Sequence, residues 1–159
     1  MNKNKKLLIM HLNIRSTKAD TKQIQLRNLI IKHNPDIISL NETFLKPNKS
    51  LTVDGYNIIR SDRQLRKGGG AALCIKSNLT CRELYIDNLI GDDNACGILI
   101  ESNQQSLSIF TIYSPPKAAF NKDLFNYIIT NHKNLIITGD LNAQSRLWHC
   151  KRTTNTDMN

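Results

Sequence analysis

Five residues of this 159-residue chain combine chemical reach with a useful position: Asn13, Glu42, Tyr113, Asp140 and Asn142. Each stands at or just beyond the end of an apolar run: Leu7–Ile14, Asp36–Leu40, Leu107–Tyr113 and Leu135–Ile137. A carboxylate or carboxamide held where a buried strand leaves its sheet can orient a water, a metal or a phosphate. One such exit is an ordinary Asp/Asn turn. Four exits carrying two carboxylates and two carboxamides make a set of hard oxygen donors. That set suits Mg²⁺, which binds through one or two carboxylates and keeps several waters. The chemistry it allows is attack on a phosphoryl group. A metal would neutralise phosphoryl oxygens, a carboxylate would orient the attacking water, and a carboxamide would hold a non-bridging oxygen.

The elements that must position these residues follow from local pattern. Lys6–Ile14 reads as a strand ending near Asn13. A helix is expected from Asp20, with Gln23 three residues on as in a capping box and Ile24, Leu26, Leu29 and Ile30 as its apolar stripe. His33-Asn34-Pro35 ends it, because proline restricts the residue before it. Asp36–Leu40 is the next strand, and strand, helix and strand with short links predict a crossover between parallel neighbours. Asn13 and Glu42 would then emerge at the same edge of one sheet. Further strands are expected over Tyr56–Arg60, Ala71–Ile75, Leu84–Ile86, Ala95–Glu101 and Leu107–Tyr113. The last two form a hairpin across Ser102–Gln105. The run Gly68-Gly69-Gly70 is followed by a strand and by no GK[ST] motif, so it predicts a backbone bend rather than a phosphate cradle. A second helix is expected over Asn121–Asn131, with Leu124, Phe125, Ile128 and Ile129 on one face. It leads into Leu135-Ile136-Ile137, then Gly139, Asp140 and Asn142.

At 159 residues and 40% hydrophobic content the chain is expected to form one domain spanning 1–159. No apolar run is long enough to span a bilayer, and Leu7-Leu8-Ile9-Met10 is broken too soon for a signal peptide. Cys74, Cys81, Cys96 and Cys150 include no CxxC pair, which points to reduced thiols in an intracellular protein. Net charge is +9, and residues 1–67, with 14 Lys/Arg against 5 Asp/Glu, carry all of it. Such a basic segment favours an anionic partner, nucleic acid first. Arg15, Lys18, Arg63, Arg66 and Lys67 are the candidate contacts. His11 and His33 are expected to be surface or structural residues.

In order and spacing, these motifs resemble the endonuclease/exonuclease/phosphatase superfamily. The closer likeness is to the apurinic-type endonuclease domain of non-LTR retrotransposons. The resemblance rests on Leu12-Asn13-Ile14, Leu40-Asn41-Glu42-Thr43, Ser61-Asp62-Arg63 with Gly68–Leu73, Ile112-Tyr113-Ser114-Pro115-Pro116, Gly139-Asp140-Leu141-Asn142-Ala143, and Leu147-Trp148. It implies an α/β fold: a DNase I-like, four-layer sandwich of two mixed sheets flanked by helices. It implies that Glu42 is the principal ligand of Mg²⁺ or Mn²⁺ and that Asn13 helps position the metal or phosphate. Tyr113 would contact the scissile phosphate, Asp140 orient the nucleophilic water or stabilise the leaving group, and Asn142 hold the phosphate.

The retrotransposon branch nicks DNA to prime target-primed reverse transcription, so the implied partner is DNA. A monomer with no small-molecule cofactor and no membrane association, nuclear if active, is expected. Domains of this kind continue with an Asp-containing motif and a Ser-Asp-His motif, and these 159 residues contain no Ser-Asp-His. The expectation is therefore a domain incomplete at its C-terminus, with a second sheet short of strands and an impaired site. A non-catalytic mobile-element remnant with residual nucleic-acid binding, or another phosphoesterase of the superfamily, is the alternative.

Overall fold

The computed structural model describes residues 6–17, 20–63, 68–101, 105–116, 118–143 and 149. Eight strands and two α-helices form two four-stranded sheets. The first contains β1 (Ile9–Asn13), β2 (Ile37–Asn41), β3 (Tyr56–Ser61) and β4 (Ala71–Lys76), in the order β1-β2-β4-β3. The second contains β5 (Arg82–Leu84), β6 (Asn94–Glu101), β7 (Ser106–Tyr113) and β8 (Leu135–Asp140), in sequence order. Helix α1 (Asp20–His33) connects the parallel pair β1–β2, and α2 (Lys122–Asn131) connects the parallel pair β7–β8. All other pairings are antiparallel, so both sheets are mixed.

Side-chain alternation along the strands produces three apolar layers. Ile38, Leu40, Ala72 and Cys74 face outward from the first sheet and pack with Leu26 of α1. Ile37, Leu73 and Ile75 face inward and meet Cys96, Ile98 and Ile109 of the second sheet. Ala95, Phe110 and Ile112 face outward from the second sheet and receive Leu124 and Ile128 of α2. The architecture is thus helix, sheet, sheet, helix: the expected four-layer sandwich. Gly97 is required opposite Phe110, because a Cβ there would run into the ring.

Sequence patterning placed α1, the 95–101 and 107–113 hairpin strands, and α2 to within a residue or two, and the first strand, expected over Lys6–Ile14, is Ile9–Asn13. Three local expectations are corrected. Asp20 lies inside the first turn of α1, and Gln23 reaches back to the Thr17 carbonyl at 3.0 Å, so no capping box forms between them. Ile24 and Ile129 point to solvent, at 54% and 63% exposure, because each helix covers its sheet with a narrower stripe than its apolar content suggests. The short strand expected at Leu84–Ile86 is Arg82–Leu84, and Ile86 is instead buried under α2. Asn121 does cap α2, its Oδ1 accepting from Leu124 N at 3.1 Å. Cys74, Cys81 and Cys96 are free thiols. Among the described residues no helix is long and apolar enough to cross a membrane.

Candidate active site

Strand register brings the predicted residues to one end of the sandwich. In the first sheet Asn13, Asn41, Ala71 and Ser61 form one cross-strand row. In the second, Asn94, Tyr113 and Asp140 form the matching row. Glu42 follows Asn41 directly. The loops leaving these rows are stitched together by backbone bonds. Ile14 N donates to Asn41 O at 3.0 Å, Ser16 N to Glu42 O at 2.7 Å, Phe44 N to Gly69 O at 2.9 Å and Ser114 N to Asp140 O at 2.9 Å.

At the centre, one amide joins three strand exits. Asn13 Nδ2 donates to Glu42 Oε1 at 2.9 Å and to Asp140 Oδ2 at 3.0 Å. Glu42 leaves the first sheet just after β2 and Asp140 ends β8 of the second, so the pair spans the inter-sheet gap. The other oxygen of Asp140 accepts from Asn142 N at 3.1 Å, an Asx turn that leaves this carboxylate little freedom. Asn142 Nδ2 donates to Ser114 O at 2.8 Å.

Tyr113 is buried on the same side. Burial pushes its phenol pKa up, the Glu42 and Asp140 carboxylates add to that rise, and the Arg63 guanidinium opposes it. Gly69 sits against Arg63, Asn94 and Tyr113 with no room for a Cβ, and all three glycines of the 68–70 run have positive φ. The run is the expected bend, and it forms one wall of the site. Arg15 lies in the exposed turn after β1. Lys18, Arg66 and Lys67 lie outside the described residues, as does the Leu147-Trp148 motif.

Five non-glycine residues here have left-handed backbone: Arg15, Ser16, Glu42, Phe44 and Asn142, with φ from 47° to 97°. Such conformations concentrate at functional sites held in place by their surroundings.

Two participants escaped the sequence reading. Asn41, fully buried, accepts from Asp140 N on its Oδ1 at 2.7 Å. Asn94 Oδ1 accepts from Gly70 N at 2.9 Å and so ties the glycine bend to β6. Asn41 lies inside the Leu40–Thr43 motif. Its signal was a carboxamide at the end of a run otherwise fit for full burial. His11, expected to be a surface or structural residue, is exposed on β1, and its Nδ1 lies 2.9 Å from Ser39 Oγ. Burial lowers its pKa, and Asp140 opposes that shift.

The donor set fits a divalent cation. Two carboxylates from different sheets converge on one amide, and Mg²⁺ needs no more than one or two carboxylates besides water and substrate oxygens. Among the described residues no group of three His, Cys, Asp or Glu comes together, at this site or elsewhere.

A family model described as the endonuclease/exonuclease/phosphatase family matches residues 10–157. Among solved structures, the endonuclease domain of TRAS1, a telomere-specific non-LTR retrotransposon, superposes with a TM-score of 0.70 at 15% identity, over 95% of this chain and 66% of that one. The AP endonuclease of Leishmania major gives 0.67 at 18% identity, over 88% of this chain and 56% of that one. The human Nocturnin catalytic domain gives 0.64 at 18%, over 87% and 64%. The chain therefore spans about two thirds or less of the length of these structures. No curated protein sequence matches the chain.

Proposed function

Because the chain belongs to the endonuclease/exonuclease/phosphatase family, we propose that its site serves Mg²⁺-dependent hydrolysis of phosphodiester bonds in DNA, as in a retrotransposon target-site endonuclease. The observation that carries this reading is the Asn13 amide bridging Glu42 and Asp140. Glu42, with Asn13 beside it, would hold the metal, which supplies charge neutralisation at the phosphoryl oxygens. Asp140, held by two hydrogen bonds, orients the attacking water. Asn142 and Tyr113 contact the phosphate at the second sheet's exits. Arg63, beside Tyr113, adds positive charge where a phosphate would sit. DNA is preferred among phosphate esters because the +9 charge excess lies in residues 1–67, which contribute Asn13 and Glu42.

These residues supply a metal-binding half-site and no Ser-Asp-His general acid/base. Loss of one member of such a unit removes orders of magnitude in rate, so nicking by the 159-residue chain should stay near background. Mn²⁺ binding and plasmid nicking test the reading together. The chain should bind Mn²⁺, and Glu42→Ala should weaken that binding at least tenfold. DNA affinity should fall steeply as salt rises. Unchanged Mn²⁺ affinity in Glu42→Ala, or a flat salt response, overturns the proposal. Robust nicking abolished by Glu42→Ala would instead show that the half-site is catalytically sufficient.

A further inference from the structure

The half-site raises a geometric problem. Asn13 and Glu42 leave the first sheet and Asp140 leaves the second, so their spacing depends on how the sheets sit on each other. Apolar contacts between stacked sheets are non-directional and fix such a register poorly. On the inner faces, however, a chain of polar groups runs from one sheet to the other. Ser39 Oγ bonds Thr111 Oγ1 at 2.8 Å and Thr138 Oγ1 at 2.8 Å. Asn41 Nδ2 donates to Thr111 Oγ1 at 3.2 Å and to Leu40 O at 3.2 Å. Its Oδ1 accepts from Asp140 N at 2.7 Å, the shortest bond of the group. Ser39, Asn41 and Thr111 are all fully buried.

The orientation of Asn41 is determined. A flipped amide would aim its NH₂ at the Asp140 N–H and its oxygen at the Leu40 carbonyl, which leaves both contacts repulsive. The residue therefore uses its two donors on the first sheet and on β7, and its acceptor on β8. It touches neither a substrate position nor a candidate metal ligand side chain. It holds the backbone of Asp140.

We infer that Asn41 is a positioning residue that sets Asp140 against Glu42 and Asn13, and that the Ser39–Thr111–Thr138 hydroxyl cluster locks it and the inter-sheet register. A fully satisfied buried polar network specifies one arrangement where an apolar one tolerates several. The functional consequence rests on the metal-site reading above; the structural part does not.

The test compares Asn41→Ala, Thr111→Val and Ile98→Ala in the 159-residue chain, read by amide hydrogen exchange at Asp140 and by Mn²⁺ titration. Exchange at Asp140 should quicken at least tenfold in Asn41→Ala and several-fold in Thr111→Val, relative to the change at buried β6 amides. Ile98→Ala lowers stability from the apolar part of the same layer and should move Asp140 no more than those amides. Mn²⁺ affinity should fall at least tenfold in Asn41→Ala and stay at the parent value in Ile98→Ala. The positioning role is overturned if Asp140 exchange is unchanged in Asn41→Ala, or tracks stability equally in all three variants. If Asn41→Ala does not fold, Thr111→Val against Ile98→Ala decides. Absence of Mn²⁺ binding by the parent would overturn the metal reading alone, leaving the exchange result to judge Asn41.

Discussion

At the end of the inter-sheet layer away from the site, Ile37, Ile75, Ile98 and Ile109 meet across the gap. At the site end the same inner faces carry Ser39, Asn41, Thr111 and Thr138. Both halves join the same two sheets. The apolar half contributes area removed from water, about 25 cal/mol per Å². The polar half gains far less net energy, about 1 kcal/mol for a typical hydrogen bond once lost water contacts are counted. What it adds is direction. The lesson is a division of labour along one pair of strands, with cohesion at one end and alignment at the other.

This contrast can be broken by experiment. The largest effect should come from Ile98→Ala, which leaves a cavity among fully buried neighbours and should cost about 2–5 kcal/mol in urea unfolding. A loss below 1 kcal/mol would mean that the apolar half is not the cohesive one. Thr111→Val is nearly isosteric and should cost only about 1 kcal/mol while disturbing the site. A cost equal to that of Ile98→Ala would erase the distinction.

Asp93 sharpens it from the other side. This carboxyl is buried beside Ser114 and Asn121, yet neither oxygen has a hydrogen-bond partner among the described residues. Burial raises the Asp93 pKa, with Ser114 and Asn121 opposing. The native state therefore holds its proton to a higher pH than the unfolded chain does. Its contribution to stability should fall as pH rises from roughly 4, where an unfolded Asp ionises. Asp93→Asn should remove that loss and gain on the order of 1 kcal/mol at pH 7. A variant whose pH–stability curve superposes on the parent's would refute this account.

Much of the frame was legible before any coordinates. The apolar runs and the residues that end them pointed to Asn13, Glu42, Tyr113, Asp140 and Asn142, which the fold brings to one end of the sandwich. The Gly68–Gly70 bend followed from the strand after it. What could not be read was which strand faces which across the gap. Ser39 and Thr111 are 72 residues apart, and Asn41 and Asp140 are 99 apart. Period-two alternation says that 37, 39 and 41 share a face; it does not say what lies opposite. A serine in an apolar strand gives no sign by itself that it is one end of a network. The bounds of helix α1 were legible, but its covered face was not, for a related reason. Its apolar residues are spread around the axis, so periodicity could not show that Leu26 alone would be fully covered while Ile24 would not.

The left-handed backbone at Glu42 carries one more consequence. Any residue with a Cβ is disfavoured at a φ of 55°, and glycine is not. On the proposed reading, the position that would hold the cation is thus one where the chain would fold more comfortably without a side chain. A laboratory selection that rewarded heat resistance alone would drift toward glycine at 42 and lose the carboxylate.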